Sequence, residues 1–513
     1  MRAWAAALFL PGGDLDPSRA VRCSGGGGVQ VWKTLESEDM ERGEIEAAFA
    51  ALLAEREVGV LLEACGATEC HLVGGVLRDR ALGLPTRDLD AVVAGRGREI
   101  AELLAARLPA RLVALGGKDF AAYRLVSEGL VVDLWDRAGM ALHADLARRD
   151  FTVNSFALEP RGGVVSDPFG GLADLARRRL RATTAHSFSG DPLRVLRLAR
   201  LLAKLPGFTA DPETVELARQ AAPRLPEVAA ERVRDELWQL LSAAWADQGL
   251  LALAAVGLYP GLWTGRPGEP CGAEDAAGPA AAAAAAAAEL AALDERAADL
   301  RRLIGGAACA AADATLDLPA ARLALATANL PPGCGSPVAA ATRLLEAGYV
   351  TERAVVEVVA LLGELALPPA RPDTKLDEPA LPPALPPYPE TELQQRRFLF
   401  RLGRRWTTVA CLLGARAATL DADPAAAGGG VALARWRPAV AALGALLRRE
   451  GAALFAPPRL LTGTELQELL GLPPGPPIGR ALAALTAAQV DGRVHTREDA
   501  LREIRRWQAM GGH

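Results

Sequence analysis

Apolar and polar positions follow one period in the first third of the chain and another afterwards. Between residues 70 and 165 the apolar residues gather in short runs: CHLVGG (Cys70 to Gly75), DLDAVVAG (Asp88 to Gly95), ARLVALG (Ala110 to Gly116), AAYRLVS (Ala121 to Ser127), LVVDLW (Leu130 to Trp135) and SFALEP (Ser155 to Pro160). Such short runs, with alternation and bounding Gly or Pro, predict β-strands. Later, apolar residues return every third or fourth position, as in RVLRLARLLAKL (Arg194 to Leu205) and AERVRDELWQLL (Ala230 to Leu241). That spacing predicts amphipathic helices. The fold class is therefore α+β: one mixed unit at about 45–165 ahead of a long all-helical remainder.

Two stretches break the pattern. GRPGEPCGAEDAAGP (Gly265 to Pro279) runs into the nine alanines Ala280 to Ala288, and LPPARPDTKLDEPALPPALPPYPE (Leu367 to Glu390) is dense in proline. Pro and Gly exclude regular structure from the first, the polyalanine starts a helix, and the second reads as a stiff connector. The expected organisation is a poorly ordered extension at 1–44, a head at 45–165, a helical neck at 166–264, a low-complexity linker at 265–288, a helical body at 289–366, a Pro-rich linker at 367–390 and a helical tail at 391–513.

Composition narrows the function classes. No apolar run in the 513 residues reaches the roughly 20 needed to span a bilayer, so no membrane partner is expected. The opening MRAWAAALFLPGG is interrupted at Pro11-Gly12-Gly13 and is followed by no small-residue cleavage site. Seven cysteines without a CxxC pair read as reduced thiols of a cytoplasmic protein, and the five histidines (His71, His143, His186, His495, His513) are too dispersed for a metal cluster. The net charge of −5 supplies no global field for a polyanion, so a nucleic-acid partner needs local patches. These are made of arginine: RRRLR (Arg177 to Arg181) and RRFLFRLGRRW (Arg396 to Trp406). In the second, Arg396, Arg397, Arg401, Arg404 and Arg405 interleave with Phe398, Phe400 and Trp406, which suits phosphate contact with base stacking. An amphipathic helix with an aromatic core face and a solvated basic face accounts for the same pattern.

The stretch HLVGGVLRDRALGLPTRDLDAVVAG (His71 to Gly95) carries the candidate chemistry. Residues two apart on a strand share a face, so Asp88 and Asp90 present two carboxylates to one point while Leu89 turns to the core. Such a pair suits a hard divalent cation, normally magnesium, and two such ions can activate a hydroxyl and stabilise a leaving pyrophosphate. Asp133, in the apolar run GLVVDLWDR, is the candidate third carboxylate. Gly74 and Gly75 would let backbone N–H groups approach a triphosphate, with Arg78 as a charged partner.

In order, these segments resemble the class II polymerase β-type nucleotidyltransferases, the family of tRNA CCA-adding enzymes and bacterial poly(A) polymerases. GGVLRD…RDLDAVV is similar to their first signature, DLARRDFTVNSFAL (Asp145 to Leu158) to their RRDFTINALA segment, and GDPLRVLRLARLLAKLPGF (Gly190 to Phe208) to their EDPLRLLRAVRFAARLGF helix. AERVRDELWQLL and the terminal LLTGTELQELLGLPPGPPIGRALAALTAAQVDGRVHTREDAL (Leu460 to Leu501) resemble further family segments. The resemblance implies a nucleotidyltransferase head with a small mixed sheet, followed by helical neck, body and tail, acting at the tRNA 3′ end with CTP and ATP as substrates, two Mg2+ ions, and a monomeric or homodimeric state. It implies that Asp88, Asp90 and Asp133 are catalytic and hold the metal, and that Arg149 and Asp150 hold the ribose beside Asn154. Asp191 and Arg194, on the nucleotide-selecting helix of the neck, would read the Watson–Crick edges of C and A, with Arg197 reaching phosphate.

Two departures from the family pattern bear on specificity. Gly190 replaces the usual Glu before Asp191, and the segment between Arg137 and Asp145 is short, as in CC-adding or A-adding specialists. A poly(A) polymerase and a non-catalytic RNA-binding relative are the competing expectations. An HD-type phosphohydrolase is disfavoured because no His-Asp dipeptide occurs.

Overall fold

The computed structural model describes residues 42–115, 121–259, 261–262, 278–304, 318–328, 337–347, 389–403, 406–422, 431–471 and 475–510. They form two compact units. One holds the described residues up to Glu236 together with Ala243–Tyr259; the other holds Leu237–Ser242 and the described residues from 261 onward.

The first unit is built on a seven-stranded mixed sheet. Its strands are β1 (Cys70–Val73), β2 (Asp88–Val93), β3 (Arg111–Leu115), β4 (Ala121–Ser127), β5 (Leu130–Asp136), β6 (Ala157–Glu159) and β7 (Val164–Ser166), in the order β3-β4-β5-β2-β1-β6-β7. Only β2 and β5 run parallel. All six apolar runs are strands, and β7, three residues long with Val164 exposed, is too short to carry a periodic signal. The helices Arg56–Cys65 and Gly97–Arg107 pack together, the first burying Leu61 and Ala64 and the second Ile100 and Leu104.

Farther along this unit, the helix Arg194–Lys204 buries Val195, Leu196, Leu198, Ala199 and Leu201 and packs on Ala246–Ala255. Its polar stripe carries Arg194, Arg197 and Arg200, three residues apart on one face. Asp191 precedes a turn at Pro192-Leu193, and the helix begins at Arg194. The Asp191 Oδ1 still accepts from the Leu193 amide at 3.3 Å, as a capping carboxylate would.

The second unit is helical. The alanine run at 280–288, placed at the end of the low-complexity linker and expected to start a helix, lies inside the helix Gly278–Ile304, as the high helix propensity of alanine dictates. Gly414 on Trp406–Ala422 leaves room for Trp436 of Val431–Glu450: a Cβ there would sit 2.6 Å from the indole, whose Nε1 donates to the Ala410 carbonyl at 2.7 Å. The helices Gly463–Leu470, Pro476–Val490 and Arg497–Ala509 close a separate core around Leu466, Ile478, Leu485 and Ile504. Residues 1–41 of the expected extension, 265–277 of the first linker and 367–388 of the second lie outside the described residues. Among the described residues, no helix is long and apolar enough to cross a membrane.

Candidate active site

The sheet brings the acidic residues together by register. Asp88 and Asp90 share a face of β2, with Leu89 buried on the other, and the parallel pairing sets Asp133 of β5 directly beside Asp90. Burial raises the Asp90 carboxyl to about 6, and the charges of Asp133 and Asp88 add to the effect against the opposing pull of Arg149 and Arg78. Asp133 is held by Arg124 of β4, whose Nε and Nη2 donate to its two oxygens at 2.7 Å each. Among the described residues no three acidic, His or Cys side chains close on one point, in keeping with Asp133 being turned to that guanidinium. The backbone register nonetheless sets Asp88, Asp90 and Asp133 at neighbouring positions, and Asp90 feels the charges of both neighbours. Mutually repelling carboxylates at adjacent positions are the donor chemistry that a hard divalent cation relieves.

The turn between β1 and the helix Gly75–Ala81 lies against this cluster. Gly74 has φ of 77°, and a Cβ on it would stand 2.9 Å from the Asp90 Oδ2 and 3.1 Å from an Arg149 guanidinium nitrogen. Only glycine combines that dihedral with that approach. Gly74→Ala is expected to cost about 1–2 kcal/mol of stability. It should also cut turnover by up to about a hundredfold, through displacement of Asp90 and Arg149. Comparing Tm with single-turnover rates checks this, and an undiminished rate would show that the close approach is immaterial.

Behind the turn runs a buried charged chain. Arg78, expected at phosphate, is itself buried: its Nε and Nη2 donate to Asp79 Oδ1 at 2.8 and 2.6 Å and its Nη1 to Asn154 Oδ1. A guanidinium out of water requires such partners. Arg149 is the cation beside Gly74, the Arg78 Nη2 would stand 3.2 Å from a Cβ on Gly75, and both pull on Asp90. Lys204 joins Asp79 at 2.8 Å, and Asn154 donates to Asp150 Oδ1 at 2.9 Å. Burial alone would raise the Asp150 carboxyl, but Arg197, Asn154 and the Phe151 amide outweigh it and hold it at about 2. The Arg197 Nε lies 3.1 Å from Asp150 Oδ2 as an ion pair without hydrogen-bond geometry, and Glu236 Oε1 lies 3.9 Å from the same nitrogen.

Asp191 and Arg194 stand at the edge of the same region; the Arg194 amide donates to the Asp191 carbonyl at 3.1 Å, while their side chains take different partners. Arg194 donates to the backbone carbonyls of Ser187 at 2.9 Å, Arg149 at 3.3 Å and Arg148. Asp191 pairs with Arg232 of the helix Ala230–Ser242 at 2.8 Å. Nothing lies within 4 Å of a Cβ built on Gly190, so where the family pattern has Glu there is open space here, and Arg232 is the residue that holds Asp191. The Arg137–Asp145 segment is tied down: Arg137 is buried and donates to the Met140 carbonyl and to Glu69, and the helix Leu142–Ala147 follows.

Both arginine patches are partly consumed by internal bonds. Arg179 and Arg181 bind the buried Asp174 and Arg178 donates to the Pro206 carbonyl, leaving Arg177 exposed. In the second unit Arg396 is buried between Glu392 and Glu450, and Arg397 pairs with Asp491 at 2.8 Å. Phe398 is buried, Phe400 is exposed, and Trp406 lies in the core. The amphipathic-helix alternative accounts for the buried Phe398 and Trp406 but not for the buried Arg396 or the exposed Phe400. Arg404 and Arg405 lie outside the described residues, as does the side chain of Arg401.

Comparison with known proteins agrees with this geometry. The family described as "Poly A polymerase head domain" matches residues 70–181, and "Probable RNA and SrmB- binding site of polymerase A" matches 207–263. A CC-adding tRNA nucleotidyltransferase of Geobacter sulfurreducens is 32% identical over 440 residues, 85% of this chain and 91% of that protein. The chain belongs to the class II tRNA nucleotidyltransferase family. A second member, the A-adding tRNA nucleotidyltransferase of Deinococcus radiodurans, is 31% identical over 85% of this chain and 95% of its own. The family fold recurs in the solved Bacillus stearothermophilus CCA-adding enzyme in complex with CTP, with a TM-score of 0.58, 22% identity, and coverage of 89% of this chain and 99% of that one.

Residues that sequence reasoning did not assign are Asp79, Arg124, Lys204, Arg232 and Glu236. Asp79 and Lys204 had a faint signal, one as the neighbour of Arg78 and the other as one of few lysines in an arginine-rich chain.

Proposed function

We propose that this nucleotidyltransferase transfers CMP or AMP from CTP or ATP to the 3′ end of tRNA. The observation that carries the reading is the strand register that sets Asp88, Asp90 and Asp133 at neighbouring positions, with Asp90 against the Gly74 turn. The 3′ oxygen bonds to the α-phosphorus, the bond to the β-phosphate breaks, pyrophosphate leaves with its electron pair, and the hydroxyl proton passes to solvent. Asp88 and Asp90, joined by Asp133, would hold Mg2+, which when bound lowers the hydroxyl pKa and offsets charge on the leaving group. Gly74 and Gly75 offer backbone to the phosphates, with Arg149 beside them. Asp150 and Asn154 fix the Arg149 segment from behind, and Arg197 holds Asp150. Asp191 and Arg194 select the base: a carboxylate acceptor beside a guanidinium donor matches the amino group and bare ring nitrogen of C and A. Each good pair of that kind discriminates by about 1–3 kcal/mol.

The bonded Arg137–Asp145 segment supports a single-specificity pocket, hence a CC- or A-adding specialist. Full-length relatives of both kinds are similar to this chain to nearly the same degree. Offering each of the four nucleoside triphosphates with Mg2+ to tRNAs ending at the discriminator base, at C and at CC decides between them. Selective addition of C or A to the matching end is expected. A chain that binds tRNA and extends none of the ends would be the non-catalytic relative, and untemplated A tails on any RNA would make it a poly(A) polymerase. In the same assay Asp191→Ala is expected to narrow the preference for the correct base by about ten- to a hundredfold. Unchanged selectivity would remove Asp191 from base reading.

A further inference from the structure

The residue opposite the third carboxylate has no role in the reading above, which this inference deepens and on which it rests. The hairpin β4–β5 closes through two residues, Glu128 and Gly129, with Ser127 paired to Leu130 and Gly129 at φ of 83°. That turn length sets Arg124 directly across from Asp133. Its guanidinium meets both carboxylate oxygens at 2.7 Å, the bidentate geometry that satisfies a carboxylate most fully. Its side chain is nevertheless 48% exposed, whereas that of Asp133 is 17% exposed. The guanidinium thus reaches from solvent onto the cluster, where Asp88 and Asp90 attract it as well.

We propose that Arg124 is a positioning residue that withholds Asp133 from a divalent cation until the phosphates of a bound nucleotide draw its guanidinium away. A carboxylate with both oxygens engaged is a poor ligand, and a cation entering beside Arg124 meets its positive charge. An exposed ion pair is weak in water, so the several charges of a triphosphate can outbid one carboxylate for the same fork. Metal and nucleotide then assemble together, and Asp133 is released where the 3′ hydroxyl must be activated.

The test uses the full chain without nucleotide and Mn2+ as the probe, followed by electron paramagnetic resonance. Arg124→Ala is expected to tighten Mn2+ binding by about fivefold or more, since removing the competing charge frees Asp133. Arg124→Gln, which keeps most of the packing, should do the same, and it stands in if the alanine variant does not fold. Arg124→Lys, a point charge without the fork, should fall between. In turnover assays the KM for the nucleotide should rise several-fold with a smaller change in kcat, because the phosphates lose a partner. Unchanged or weaker Mn2+ binding in both neutral variants overturns the proposal. Wild-type protein that adds no nucleotide, while the neutral variants still bind Mn2+ more tightly, would fault the assigned reaction and leave the Arg124–Asp133 competition standing.

Discussion

Asp90→Asn is expected to abolish nucleotide incorporation while making the metal-free protein harder to unfold at pH 8. Loss of a carboxylate that holds the cation removes several kcal/mol of transition-state stabilisation, about a thousandfold or more in rate. The gain in stability has a separate origin. Asp90 is raised from 3.8 to about 6 by burial and by its acidic neighbours, so the folded state resists its ionisation. The sign follows from linkage: the folded protein holds the proton more tightly, so the penalty is absent below the unfolded pKa, grows through about pH 6 and is fully present above it. A shift of that size corresponds to roughly 3 kcal/mol at pH 8, which the neutral Asn avoids. Thermal unfolding in chelator at pH 8 and at pH 4, with incorporation and tRNA binding at pH 8, measures all three effects. The Tm advantage should fade at pH 4 and tRNA affinity should hold. A variant that loses stability at pH 8, or loses tRNA binding along with turnover, would contradict the role given to Asp90.

Asp150→Ala is expected to cost about 3 kcal/mol of stability. Its carboxylate is buried, accepts from the Phe151 amide and Asn154, and pairs with Arg197. Removing it strands a cation, which is costlier than never having had the pair. The magnitude is tempered because the Arg197 side chain is 38% exposed even though its Nε is enclosed. The folded pKa of about 2 lies below the ordinary value, so the contribution of Asp150 is full above pH 4 and is lost as pH falls toward 2. Denaturant unfolding of wild type and variant at pH 7 and near pH 2.5 should show the gap narrowing with acid. A pH-independent gap would mean that packing, not charge, supplied the stability.

Much of this was legible in single segments. Alternation in RDLDAVV placed Asp88 and Asp90 on one face, the apolar run GLVVDLW placed Asp133 on a strand, and the glycines after HLV marked a turn. The Arg124–Asp133 pairing was legible in principle, since a two-residue turn at Glu128-Gly129 dictates the register of its hairpin. The destination of the arginines was not legible. Arg78 and Arg396 read as exposed phosphate contacts and are buried ion pairs, and no local pattern separates the two cases.

The sequence by itself determined where six of the seven sheet strands and the neck helices lie, which face of β2 is acidic, and the family whose segments these are, because alternation and turn chemistry act over a few residues. Only the tertiary structure decided which charges are satisfied internally and which are left to meet a ligand. Lys204 neutralises Asp79 across 125 positions, Arg78 reaches Asn154 across 76, and Arg232 reaches Asp191 across 41. The physical reason is that the energy of a charge depends on its burial and on the partners brought to it, and both are set by long-range packing.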